Sequence, residues 1–232
     1  MNKFKNKYRI PSHRRPLWDY SSDALYFLTL VTQHRVCNLG FIDQEQMFLS
    51  DFGKIISAEW LESFKIRKEL KLHEYVIMPN HLHAIVEIDN RTSKNGIWIP
   101  NNGILMPDNG VWTPPNNGIL TPDNGIWPSN NPPDVDFDEI RQIKRNPPVR
   151  LPRSISSFMG GYKSVINTKI DDYIDEHRLQ IPKYNRNNHF FQPNYHDHII
   201  RNDVEYHRIT GYIRNNVRNW NRDKFNQFRV RG

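Results

Sequence analysis

Two histidines separated by a single leucine, His81-Leu82-His83, lie in the segment Tyr75-Val-Ile-Met-Pro-Asn-His-Leu-His-Ala-Ile-Val-Glu-Ile88. Side chains alternate along a β-strand, so His81, His83, Ile85 and Glu87 face one way and Leu82, Ala84, Val86 and Ile88 the other. The second face is wholly apolar and can seat on a core. The first then presents two imidazoles side by side from a rigid platform, an arrangement suited to gripping a divalent ion. The same tripeptide also fits a strand with two polar residues on its solvent side, so the rest of the chain must decide. Far downstream, Tyr212 and Asn216 stand four residues apart in a helical pattern, which stacks a phenol above an amide. An amide oxygen is a serviceable hard ligand, and a phenol is a nucleophile once its target phosphate is polarised.

These residues need elements to hold them. Leu25–Thr32 is β-branched and aromatic, too short for a typical helix, and reads as a strand. Between Ser50 and Lys68, Phe52, Ile55, Ile56, Trp60 and Phe64 recur at three- and four-residue steps, which predicts an amphipathic helix. Met78-Pro79-Asn80 makes a turn just before the histidine strand. A second helix carries Ile155, Phe158, Tyr162, Val165 and Ile166 along one side. Phe190–Arg201 reads as a last strand region. A closing helix is predicted from about Asp203 to Trp220, with Asp203 as N-cap. On it Tyr206, Ile209, Ile213, Val217 and Trp220 form the buried stripe, and Tyr212 lies beside that stripe with Arg208, Asn215, Asn216 and Asn219.

With 232 residues and 27.7 kDa the chain can bury a substantial core. We read residues 1–232 as one domain with an insertion at about 91–133. That insertion repeats Asn95-Gly-Ile-Trp98, Asn102-Gly-Ile-Leu105, Asn109-Gly-Val-Trp112, Asn117-Gly-Ile-Leu120 and Asn124-Gly-Ile-Trp127, mostly with proline soon after. Each Asn-Gly favours a tight turn and each proline removes a backbone donor, which suits an expansion lodged in a surface loop. The balance of 32 Lys+Arg against 25 Asp+Glu gives a net charge of +7 and favours a polyanionic partner, nucleic acid first. A single cysteine, Cys37, excludes an internal disulfide framework and a cysteine-built zinc site. No apolar run reaches the roughly 18 to 20 residues of a membrane span, and residues 1–9 have charge without an apolar core behind it. The expectation is a soluble cytoplasmic protein, nucleoid-associated when bound to DNA.

Taken in order, Tyr26-Phe-Leu-Thr29, Tyr75-Val-Ile-Met-Pro-Asn-His-Leu-His83, Ser157-Phe-Met-Gly-Gly-Tyr-Lys163, Phe191-Gln-Pro-Asn-Tyr-His-Asp-His-Ile-Ile-Arg201 and Tyr212-Ile-Arg-Asn-Asn216 resemble the single-tyrosine HUH transposases, nearest their stand-alone REP-associated branch. The resemblance spans nearly all of the chain outside 91–133. It implies an α+β fold with a ferredoxin-like or RRM-like antiparallel sheet backed by helices. It also implies that His81 and His83 bind Mg²⁺ or Mn²⁺, that Asn216 is the third protein ligand, and that Tyr212 is the nucleophile. Family members often have glutamine at the Asn216 position, or asparagine followed by proline; here Val217 follows, and Phe190 stands where tryptophan is common.

The implied reaction cleaves and rejoins single-stranded DNA, at sites containing hairpins, through a 5′-phosphotyrosine. The expected partner is single-stranded or hairpin DNA, held by Arg14, Arg15, Lys144, Arg145, Lys163, Arg214 and Arg218 with bases stacked on aromatic rings. Related transposases work as dimers or as monomers. No general base stands out; Glu87, on the same strand face, either holds a water or a histidine proton or is a plain exposed glutamate. A second His-x-His, His196 and His198, reads as structural or DNA-proximal, and His73 carries no signal. Three other functions compete: a catalytically inert nucleic-acid-binding protein derived from a transposase, an HUH replication or relaxase-type nuclease, and a metal-dependent phosphohydrolase.

Overall fold

The computed structural model describes residues 18–90, 151–185 and 187–226, together with the short strand segments 3–4, 7–8 and 111–112. Its centre is a four-stranded antiparallel sheet. The strands are β3 (Ala24–Val31), β6 (Leu70–Met78), β7 (His81–Ile88) and β9 (His196–Ile200), in the spatial order β6-β7-β3-β9. Helix α1 (Asp51–Ile66) connects β3 to β6, and helix α2 (Ile155–Glu176) lies between β7 and β9. Strand-helix-strand-strand-helix-strand with this strand order is the ferredoxin-like arrangement, and the expected α+β class holds. A hairpin of β4 (Gly40–Asp43) and β5 (Gln46–Leu49) is inserted before α1, and helix α3 (Asp203–Arg214) follows β9. Within the Asn-Gly repeat, β8 (Val111–Trp112) pairs antiparallel with β5, and near the amino terminus β1 (Lys3–Phe4) pairs with β2 (Lys7–Tyr8).

The two faces of the sheet have different covers. Opposed residues share a face, so Leu82, Ala84, Tyr75, Ile77, Leu28 and Leu30 line one side, where all are fully buried. Helices α1 and α2 lie on that side and join through an aromatic cluster in which Trp60 meets Phe64, Phe158 and Tyr162 at ring-centroid distances of 5.1–5.3 Å. Each helix starts at a serine: Ser50 accepts from the Gly53 N–H, and Ser154 forms a capping box with Ser157. The opposite side, which carries His81, His83 and Glu74, is covered by α3. Here the structure corrects the alternative of a wet strand face: His81 is 0% and His83 2% exposed.

Helix α3 also departs from expectation, because it ends at Arg214 and not near Trp220. Its N-cap is Asn202, which accepts from Glu205, in place of Asp203. At the other end the Asn215 side chain donates to the Gly211 carbonyl at 2.8 Å, and the Asn216 N–H reaches back three residues to Ile213. Asparagine's local bonding to backbone competes with a continuing helix, and the chain proceeds in tight turns to a 3₁₀ turn at Trp220–Arg222.

Candidate active site

Strand β7 places both imidazoles on the α3 side, at a ring-centroid separation of 4.6 Å. Each has one ring nitrogen anchored. His81 Nδ1 lies 2.8 Å from Asn80 Oδ1, while Asn80 Nδ2 donates to the Arg35 and Phe225 carbonyls at 3.0 and 2.9 Å. Both amide protons are thereby used, so the Asn80 oxygen must accept, and His81 carries its proton on Nδ1. The Nε2 lone pair is then left buried with no hydrogen bond among the described residues. His83 Nδ1 lies 2.8 Å from Thr29 Oγ1, its directly opposed neighbour on β3. Its Nε2 is 3.1 Å from the Tyr212 hydroxyl.

Burial and the nearby Lys224 charge push the His81 pKa down to about 3, and burial, then His81, hold His83 well below the usual imidazole range. Both rings are neutral at physiological pH, the state in which imidazole ligates a metal. The third member of the cluster is Asp223, whose side chain is 5% exposed and whose Oδ2 lies 3.9 Å from His81 Nε2. Its Oδ1 accepts the Phe225 N–H at 2.6 Å. Ligand atoms of His81, His83 and Asp223 all fall within 4.8 Å of one another. Two ligands each about 2.1 Å from one ion are separated by roughly 3 to 4.2 Å, so a small inward movement suffices. Two anchored imidazoles, an orphaned buried lone pair and a carboxylate make a donor set that fits a divalent ion.

Tyr212 reaches this cluster from the last turn of α3. It is 41% exposed, while Tyr206, Ile209 and Ile213 on the neighbouring stripe are buried. Partial burial raises its pKa above the ordinary phenol value, the Asn216 amide works against that rise, and Asp223 adds to it. Asn216 is 2% exposed; its amide lies close enough to the Tyr212 hydroxyl to act on it, but neither amide atom makes a hydrogen bond of good geometry among the described residues. The pocket walls are aromatic: Phe27 stacks on His83 at 5.2 Å, and Phe225 packs on His81 at 4.7 Å.

Of the basic residues expected at DNA, Arg14, Arg15, Lys144 and Arg145 lie outside the described residues. Lys163 Nζ donates to the Gln192 carbonyl at 2.7 Å and the Pro193 carbonyl at 3.2 Å, clamping the segment before β9. Arg214 Nε is 2.7 Å from Glu74 Oε2 in a largely buried pair. Arg218 is 72% exposed and lies 3.4 Å from Glu45. Glu87 bonds His73 Nε2 at 2.8 Å, and His73 Nδ1 lies 3.3 Å from the Tyr206 hydroxyl, so both belong to the seam under α3. His198 pairs with Glu205 at 2.6 Å. Asp223, Thr29, Lys224 and Phe225 were missed in the sequence because nothing local marks them. Asn80 could have been found, since it directly precedes His81.

No family model matches the chain. A curated protein of Haemophilus influenzae, described only as uncharacterized, is 24% identical over 220 residues, covering 91% of this chain and 92% of that protein. Among solved structures, that of a REP-associated tyrosine transposase bound to a REP hairpin is similar at 14% identity and a TM-score of 0.38, covering 89% of this chain and 72% of that one.

Proposed function

We propose that the chain is a metal-dependent single-stranded-DNA transesterase that cuts and rejoins strands, at hairpin-containing sites, through Tyr212. The observation that carries this reading is the Tyr212 hydroxyl 3.1 Å from Nε2 of a buried imidazole whose neighbour, His81, has an unpartnered Nε2. His81 and His83 would hold the ion, Mg²⁺ or Mn²⁺, with Asn216 or Asp223 as a third ligand, and its chemistry there would be Lewis-acid withdrawal of charge from one phosphodiester. The anchors at Asn80 and Thr29 keep each Nε2 aimed inward, and Lys224 adds a cation beside the pocket.

Tyr212 Oη attacks phosphorus in line with the 3′ oxygen. The Oη–P bond forms as the P–O3′ bond breaks. The phenolic proton passes to water at the exposed edge of the ring, and the departing 3′ oxygen takes a proton from water. One phosphodiester is replaced by another, so the 5′-phosphotyrosine can later be attacked by a 3′ hydroxyl in the reverse sense without an external energy source.

The test is incubation with labelled single-stranded hairpin oligonucleotides and Mg²⁺ or Mn²⁺. A covalent protein–DNA adduct is expected with the natural chain and is absent from Tyr212→Phe. Cleavage without an adduct would mean that water is the nucleophile and the chain a phosphohydrolase. Binding without cleavage would mean an inert nucleic-acid-binding protein.

A further inference from the structure

Nε2 of His83 has two suitors. The Tyr212 hydroxyl lies 3.1 Å from it, and a divalent ion at the cluster of His81, His83 and Asp223 needs it as a ligand. A ring nitrogen has one in-plane position, filled by a lone pair or by a proton, so it serves one partner at a time. That exclusion holds for either tautomer of the ring. His83 cannot offer its other nitrogen instead, because Nδ1 is held by Thr29 Oγ1 at 2.8 Å. The rest of the cluster is not claimed by the phenol: His81 Nε2 is buried without a hydrogen bond among the described residues, and Asp223 Oδ2 lies 3.9 Å from it. Phe27 keeps the two competing rings together, stacking on His83 at 5.2 Å and meeting Tyr212 edge-on at 6.2 Å.

We infer that His83 holds the nucleophile back until an ion is seated: the ion takes Nε2, the Tyr212 hydroxyl is expelled from it, and the phenol is then free to turn toward a phosphodiester. The inference rests on the transesterase reading for the ion at the pair and for the role of Tyr212. It makes phenol and ion competitors for one lone pair, and such coupling is reciprocal: what holds the phenol in place weakens the ion by the same factor. One neutral hydrogen bond is worth little beside a metal ligand, so the ion prevails, with its affinity lowered about fivefold. Nothing large has to move. Tyr212 is 41% exposed, and its hydroxyl, once off Nε2, meets water or the adjacent Asn216 amide. The proton stays on the phenol oxygen throughout this exchange. A separation of 3.1 Å is also compatible with two ligands of one ion, so a phenol that stayed and ligated the ion itself would give an effect of opposite sign.

The test is calorimetric titration of Mn²⁺ into the full chain without DNA. Tyr212→Phe, which removes the competing hydroxyl and keeps the ring, should bind the ion about fivefold more tightly than the natural chain. In the natural chain labelled with ¹³Cζ-tyrosine, the Tyr212 resonance, identified by its loss in Tyr212→Phe, should move when Mg²⁺ is added. Equal or weaker Mn²⁺ binding by Tyr212→Phe overturns the inference, and weaker binding means that the phenol is a ligand. A Tyr212 resonance that stays in place at saturating Mg²⁺ overturns it as well, as does a natural chain that binds no Mn²⁺. No DNA enters these measurements. Tighter binding by Tyr212→Phe in a chain that forms no adduct would sink the transesterase reading and leave this competition standing; adduct formation with weaker binding by Tyr212→Phe would do the reverse.

Discussion

Neither imidazole of the pair is a free-standing ligand, because each is fixed through its other nitrogen. Removing one anchor, in Asn80→Ala or Thr29→Val, is expected to weaken Mn²⁺ binding about 10- to 100-fold by calorimetry while the fold persists. Their burial also has a pH consequence. An unfolded histidine titrates near 6.5, whereas folded His81 titrates at about 3 and folded His83 well below the usual range. Between those values the unfolded chain binds more protons. Stability is therefore complete above about pH 6.5 and falls as the pH drops, by up to about 1.4 kcal/mol per pH unit for each ring. In EDTA, Tm should fall between pH 7 and pH 5, and less steeply in His83→Asn. At this scale spacing alone put His81 beside His83 on one strand face and Tyr212 beside Asn216 on one helix flank, while their roles came only from the family resemblance. Thr29 and Asp223 were not readable, because one faces His83 only through strand register and the other arrives on an irregular turn.

Helix α3 is held to the sheet by a polar seam that periodicity did not reveal. The bulge between Leu72 and Glu74 turns His73 toward Glu87 and Tyr206, and Glu74, 4% exposed, takes the Arg214 guanidinium. Burial raises the Glu74 carboxyl above its usual range, and Arg214 opposes that rise. Arg214→Ala leaves the carboxylate buried without its partner. The expected loss is about 2 to 3 kcal/mol in urea unfolding, short of the roughly 3 to 5 of a wholly buried pair because Arg214 is 36% exposed. Glu74→Leu combined with Arg214→Met should recover most of it. The strand at Leu25–Thr32, the histidine strand, the last strand region and the first two helices could be read from the sequence because their apolar spacing is regular, whereas β6 and the β4–β5 hairpin were not read and Val165, placed on the buried side of α2, is 41% exposed. The end of α3 could not be read, since the stripe continues to Val217 and Trp220 while Asn215 and Asn216 break the backbone pattern.

The whole molecule explains how a long repeat can coexist with a small sheet. Just before it, Asn90 bonds Ser21 and Asp23; after it, the Ile155 N–H bonds the Tyr20 carbonyl. Both flanks of residues 91–150 therefore return to the same short stretch of chain. Replacing 91–133 with a brief Gly-Ser linker is expected to leave the far-UV dichroism of the sheet intact and to shift Tm by only a few degrees, since loop closure depends weakly on length. The β6–β7 hairpin has no such tolerance. Its turn is only Pro79 and Asn80, and one added residue that shifted β7 by a single place would exchange faces, sending Leu82 and Ala84 toward Tyr212 and both imidazoles into the oil of the helical layer. Length drift in this lineage is thus free to accumulate beyond Asn90 and is barred ten residues earlier, so relatives should vary widely after β7 and hardly at all before it.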